Sequence, residues 1–253
     1  MIKDKNRLEI QGHRGDRSLF LENTLLSFAS AIEAGVDAIE LDLHVTKDQN
    51  VVIYHDYFLK NRRSSPICSL SLAEIKKENG QIPTLDELFN LIHHSKEKKV
   101  RLNLEIKRDP RHPEWSAPLE DLVFQIVSKV QKQGFEEKVY YSSFDPEVLM
   151  QVRKLDKKTT LALVFASRSK ENEPFFIQQC AIAASCNATI LSPQYDLLTN
   201  PSIVLSLQEK GFRVITWTVN KTKDWEKCIE MGVDGIITDR PRDLIAFLKG
   251  DHK

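Results

Sequence analysis

Short apolar runs rich in β-branched residues alternate along this chain with longer stretches whose apolar residues recur every three or four positions. The short runs predict strands over Leu8–Gly12, Ala38–Leu43, Val100–Ile106, Val139–Ser143, Thr160–Phe165, Thr189–Ser192, Arg213–Val219 and Gly235–Thr238. Between them the helical spacing marks Thr24–Ala34, Thr84–His94, Leu119–Lys132, Pro146–Leu155, Pro201–Glu209 and Lys223–Met231. Boundary residues agree: Asn23 is placed to cap the first helix, Gly35 to end it, Asp145-Pro146 to open another, and Gly232 to close the one ending at Met231. Strands alternating with helices predict an α/β fold, a TIM (β/α)8 barrel in one domain over residues 1–253.

One run breaks the alternation. Val51–Tyr54 follows the second strand after only Lys47-Asp48-Gln49-Asn50, too few residues for a crossover helix, so it is expected to return as an antiparallel hairpin. A turn centred on Asp48–Asn50 would set Leu43 opposite His55 and bring that imidazole beside Asp42 and Glu40. Residues 56–82 then read as a small polar insertion over the barrel mouth, with one helical stretch near Leu72–Lys77.

Candidate chemistry gathers where the first strands stop. Glu40 and Asp42 are two apart on a strand and share a face, and Glu105 has a similar place near the end of the next barrel strand. Carboxylates converging there would repel one another without a positive occupant, and oxygen donors suit a hard divalent cation, Ca2+ or Mg2+. His13 and His55 each end a strand, and imidazole exchanges protons near neutrality, which suggests one general base and one general acid. Arg14 and Lys107 add positive charge suited to a phosphate, or to tethering a carboxylate; Trp217 is placed to wall the substrate cleft or simply to fill core. His44, which shares the face of Asp42, is read as an ordinary polar residue, as are His93, His94, His112 and His252.

Composition narrows the function classes. The 36 basic and 36 acidic side chains cancel, so no global field draws the chain to nucleic acid or an anionic membrane, and any anion must be bound locally. The Met1–Arg7 segment lacks a secretory apolar core and no later window is apolar enough for a membrane span, which gives the expectation of a cytoplasmic protein without an integral membrane segment. Cys68, Cys180, Cys186 and Cys228 have no zinc-site spacing and read as reduced thiols. GxGxxG, P-loop, GxSxG and HExxH motifs are absent, leaving metal and general acid/base chemistry.

Taken in order, Gly12-His13-Arg14-Gly15, Glu22-Asn23-Thr24, Glu40-Leu41-Asp42, His55-Asp56, Ile82-Pro83-Thr84-Leu85-Asp86-Glu87, Glu105-Ile106-Lys107, Ser142-Ser143-Phe144, Trp217-Thr218-Val219-Asn220 and Gly232–Pro241 resemble the glycerophosphodiester phosphodiesterase family over nearly the whole chain. The resemblance implies a TIM-barrel hydrolase that cuts glycerophosphodiesters, such as deacylated phospholipids, to sn-glycerol 3-phosphate and an alcohol with one divalent cation. It implies Glu40, Asp42 and Glu105 as metal ligands, His13 and His55 as the acid/base pair, and Arg14 at a phosphate-binding position, with Lys107 following the third ligand. Leu21 stands where the family usually has proline, and Leu59–Ser65 departs from its usual continuation after His55-Asp56, which bears on substrate choice. The close rival is a lysophospholipase D-like enzyme forming a cyclic phosphate, against which the polar insertion with Arg62 and Arg63 speaks; a non-catalytic phosphodiester-binding barrel is the rival of another class. The expected partner is a small glycerophosphodiester, with a homodimer left open.

Overall fold

The structure, a computed structural model, describes residues 7–95, 99–167 and 173–250. Its first elements are β1 (Glu9–His13), α1 (Leu25–Ala34), β2 (Ala38–Val45), β3 (Val51–Ile53), β4 (Phe58–Leu59), β5 (Arg62–Pro66), α2 (Leu72–Glu78), α3 (Leu85–His94) and β6 (Arg101–Ile106). There follow α4 (Leu119–Lys132), β7 (Val139–Ser143), α5 (Pro146–Leu155), β8 (Leu161–Phe165), α6 (Glu173–Ser185), β9 (Ile190–Pro193), α7 (Pro201–Glu209), β10 (Arg213–Thr216), α8 (Thr222–Glu230), β11 (Gly235–Thr238) and α9 (Pro241–Lys249). The main sheet runs β1-β11-β10-β9-β8-β7-β6-β2-β3, and the further pairing of β1 with β2 closes it. With the antiparallel β3 set aside, the parallel strands form a TIM barrel, with helices in the crossovers as the period predicts.

Alternation along the strands divides the buried side chains into two cores. Outward residues such as Ile39, Leu41 and Leu43 join α1, α3, α4 and α5 in the large core between sheet and helices. Inside the barrel, Tyr140, Ala162, Ile190, Ile215 and Ile237 form a small apolar plug on the side of β7 to β11. The inward residues of β1, β2 and β6 are instead polar: Glu9, Gln11, His13, Glu40, Asp42 and Asn103 are all buried there. The polar part of the barrel interior is thereby concentrated on three strands, facing an apolar wall.

Three expectations are corrected. Thr24, not Asn23, caps α1: its hydroxyl accepts from the Ser27 backbone, while Asn23 takes a left-handed φ of 54°. Across the hairpin Leu43 pairs with Ile53 rather than His55, because the turn spans Thr46–Asn50 and centres on Asp48, which accepts from the Thr46 hydroxyl and the Leu72 backbone. The strand expected to reach Val219 ends at Thr216, so Trp217 lies just past β10 and bridges to Gln194.

The sequence reading named no helix over α6 or α9 and no strands β4 and β5. Apolar residues lie on more than one side of α6, where Ile177 is exposed and Phe176 buried, so no single stripe marked it. The segment after β3 is less polar than expected: Leu59, Ile67, Leu70, Ile75 and Ile82 pack with Val52 in a cluster of their own. Among the described residues all four cysteines are free and no helix is long and apolar enough to cross a membrane. His252 lies outside the described residues.

Candidate active site

Strand register brings the carboxylates together. His13 at the end of β1 sits level with Glu40 on β2, and two residues further along β2 Asp42 sits level with Glu105 on β6. Each of Glu40, Asp42 and Glu105 offers an oxygen within 4.8 Å of the others. The turn after β1 is held by its glycines: a Cβ on Gly12 would meet the Gly15 carbonyl oxygen at 2.8 Å, and one on Gly15, at φ 91°, would collide with Ser27. That close approach lets the Arg14 backbone donate to the Glu40 carbonyl at 2.8 Å, fixing His13 against β2.

Burial and like charge set the protonation of this cluster. Burial pushes Glu40 well above the usual carboxylate range, and the neighbouring Asp42 and Glu105 charges push the same way. Burial acts likewise on Asp42, but Lys107 and Arg14 outweigh it and hold that carboxyl below the ordinary value. Lys107 contacts Glu105 at 2.8 Å and Asp42 at 3.4 Å; these partners overcome burial and raise its ammonium. Arg14 reaches Asp42 at 3.2 Å and Glu22 at 2.9 Å. Both cations therefore tether carboxylates, one of the two readings their sequence positions allowed.

The two histidines occupy contrasting settings. His13 is buried, and burial lowers its pKa against the opposing pull of Asp239, whose Oδ1 lies 2.6 Å from His13 Nδ1. Burial would raise Asp239, yet the bond to His13, with Arg17 and Asn220 nearby, brings it down to about 2. With Nδ1 donating to Asp239, the other nitrogen, Nε2, faces the carboxylates, 3.9 Å from Glu40. His55 is 37% exposed and turns Nδ1 toward Asp56 at 2.7 Å. Despite the shifted register, His55 lines the same cavity as His13. His44 is buried, edge-on to Tyr57, and driven down to about 3 by burial, so it stays neutral behind the site.

That cavity, about 150 Å³, is walled by His13, Arg14, Glu40, His55, Glu105 and Lys107 on one side and by Phe144, Val164, Trp217 and Ile237 on the other. Trp217 donates from Nε1 to the Ser192 carbonyl at 2.9 Å, which fixes its ring as part of the apolar wall. Asp42 lies behind the carboxylates that reach the cavity, where Asn23 donates to it at 2.8 Å. Asp239, Asn220, Glu22 and Arg17 had no assigned role from sequence, and Asn23 had only that of a helix cap. Glu22, Asn23, Asn220 and Asp239 stood in the motifs already singled out, and only the closing of β11 on β1 shows what Asp239 touches.

The donor set fits a hard divalent cation. All three ligand groups are carboxylates, their charge exceeds that of the tethering cations, and beside Asp42 the buried Asn23 Oδ1 has no hydrogen-bond partner.

Residues 13–243 match the glycerophosphoryl diester phosphodiesterase family. The chain belongs to that family. A glycerophosphodiester phosphodiesterase of Caldanaerobacter subterraneus subsp. tengcongensis is 31% identical to it over 251 residues, covering 94% of this chain and 96% of the relative. A solved structure from Galdieria sulphuraria, assigned to the same activity, is 30% identical, superposes with a TM-score of 0.81, and covers 98% of this chain and 100% of its own. A phosphodiesterase of Oleispira antarctica, solved in complex with the product sn-glycerol-3-phosphate, shares the fold at 21% identity and a TM-score of 0.80, over 95% of this chain and 96% of its own. The enzyme is thus a phosphoric diester hydrolase of the glycerophosphodiester class.

Proposed function

We propose that the enzyme hydrolyses glycerophosphodiesters to sn-glycerol 3-phosphate and an alcohol, with His13 as general base, His55 as general acid and one divalent cation held by Glu40, Asp42 and Glu105. The observation that carries the assignment is the contrast between the histidines: His13 is buried with Nδ1 on Asp239, while His55 is half-exposed at the rim of the same cavity. A buried, neutral imidazole whose Nδ1–H is occupied presents a free Nε2 lone pair, which is what a base needs. His55, with Nδ1 turned to Asp56, stands at the rim of the cavity, where the departing alkoxide would meet it.

When bound, calcium or magnesium would offset charge gathering on the phosphate oxygens and acidify a hydroxyl beside them. His13 takes the proton of the attacking water or glycerol hydroxyl as the new O–P bond forms; where the hydroxyl attacks, water opens the resulting cyclic phosphate in a second displacement, with the two histidines exchanging roles, to give glycerol 3-phosphate. His55 gives its proton to the alcohol oxygen as the old P–O bond breaks. Arg14 and Lys107 keep Asp42 and Glu105 in place and set positive charge beside the phosphate, and Trp217 with Phe144 offers an apolar face to the glycerol carbons. The deep cavity, about 150 Å³, has room for a glycerol phosphate.

The test is release of glycerol 3-phosphate from glycerophosphoglycerol and glycerophosphocholine with calcium, magnesium or EDTA, in wild type and His13→Ala. Release that requires both metal and His13 supports the proposal. A cyclic phosphate as the final product, seen by phosphorus NMR, would transfer the assignment to the rival reaction.

A further inference from the structure

Two grooves open beside His55, and they differ in charge. One, about 460 Å³, is lined by His55, Tyr57, Phe58, Lys60, Arg63, Lys107 and Trp115. The other, about 330 Å³, carries Glu22, Glu78 and Tyr54, and shares Asp56 and Lys60 with the first. The first shares both His55 and Lys107 with the deep cavity, whereas the second shares His55 alone. A phosphodiester with its glycerol end in the deep cavity would pass between the proposed acid and the ammonium, and so enter the first groove.

That groove is aromatic and basic. Trp115 lies 5.5 Å from Tyr57 and 5.4 Å from Phe58, ring centre to ring centre, and one face is covered by His112 stacked at 3.8 Å. The Cys68 thiol, in the segment after β5, reaches the Glu114 carbonyl at 3.6 Å, so the insertion and the Trp115 loop form one wall. Among the described residues neither Lys60 nor Arg63 has an ion-pair partner, and the only carboxylate lining the groove, Asp56, is engaged by His55. A quaternary ammonium would find aromatic rings there, but also Lys60 and Arg63, whereas the charge of Lys107 is taken up by Glu105 and Asp42. Repulsion from uncompensated cations outweighs a ring face already half covered.

We infer that the leaving alcohol occupies the groove of Tyr57, Phe58 and Trp115, and that Lys60 and Arg63 make the enzyme prefer alcohols without positive charge, such as polyols, over amino alcohols. This rests on the proposed hydrolysis and adds the substrate class to it.

The experiment compares kcat/KM for glycerophosphoglycerol and glycerophosphoinositol with that for glycerophosphocholine and glycerophosphoethanolamine. Wild type favours the polyols. The double variant Lys60→Glu, Arg63→Glu, in which both exposed residues can change without loss of core, moves the ratio toward the amino alcohols by about three- to tenfold, the range for two exposed charge interactions. Glu78→Gln in the other groove leaves it unmoved. A wild-type preference for choline, a ratio indifferent to the double variant, or a ratio moved by Glu78→Gln would overturn the inference while leaving the hydrolysis standing. No glycerol 3-phosphate from any diester would remove the hydrolysis itself, and the inference with it.

Discussion

At the base of the barrel one buried carboxylate, Glu9, takes Arg101 and Arg213 on the same oxygen, each at 2.7 Å, and accepts from Gln11 on the other. At the mouth three carboxylates share one guanidinium and one ammonium. Strands β1 and β6 serve both sites, since Glu9, Gln11 and His13 alternate along β1 and Arg101, Asn103 and Glu105 along β6, while β10 adds Arg213 at the base and β2 adds Glu40 and Asp42 at the mouth. The base has more than enough positive charge and contributes to stability. The mouth has too little, and that deficit is what a cation and a phosphodiester can use.

If the division is real, changes at the mouth should cost chemistry and changes at the base should cost stability. The largest effect is expected for His13→Ala, which should lower kcat about a hundredfold to ten-thousandfold with little change in melting temperature. Steady-state kinetics beside thermal unfolding checks it, and near-full activity would end the assignment of His13 as base. Asp239→Asn should lower kcat about ten- to a hundredfold, because the imidazole loses the acceptor that fixes its tautomer. The base limb of its pH–rate profile should shift, which mere loosening of the fold would not produce.

Glu9→Gln should cost about 1–2 kcal/mol, a value discounted because Arg101 and Arg213 are 40% and 43% exposed, while kcat stays unchanged. Burial raises the Glu9 carboxyl, but the two arginines outweigh it and hold it below the ordinary value. Its contribution is therefore present above the unfolded glutamate pKa of about 4.3 and lost as pH falls through the lower folded value. Urea unfolding at several pH values should show wild type converging on Glu9→Gln on the acid side.

The smallest expected effect has the opposite sign. Glu40→Gln removes a charge that burial and two neighbours already oppose, and should leave the metal-free protein as stable as wild type or up to about 1 kcal/mol more so. The same variant should lose the rise in melting temperature on adding calcium or magnesium. A destabilised metal-free Glu40→Gln would mean that the two ends are built alike.

Much of this site was legible before any coordinates, because the register of parallel strands turns matching strand ends into neighbours: His13, Glu40, Asp42 and Glu105 meet by backbone pairing alone. What depended on turns was misplaced. The centre of the Thr46–Asn50 turn shifted the hairpin by two residues, and Asn23 proved to serve Asp42 rather than a helix end. What depended on distant chain segments was invisible as a role. Asp239 lies 226 residues from His13, and no local period links them. In the fold the eight strands followed from their β-branched runs, while α6 escaped notice because its apolar residues do not keep to one face.

The bond between His13 and Asp239 also ties function to the order of synthesis. Among the described residues the first strand carries His13, the proposed base, and the turn after the last strand carries Asp239, which fixes its Nδ1. A growing chain can assemble the three carboxylates once β6 has emerged, yet His13 meets Asp239 only when β11 docks on β1. A chain that stops short of β11 and Asp239 lacks the contact that orients the imidazole.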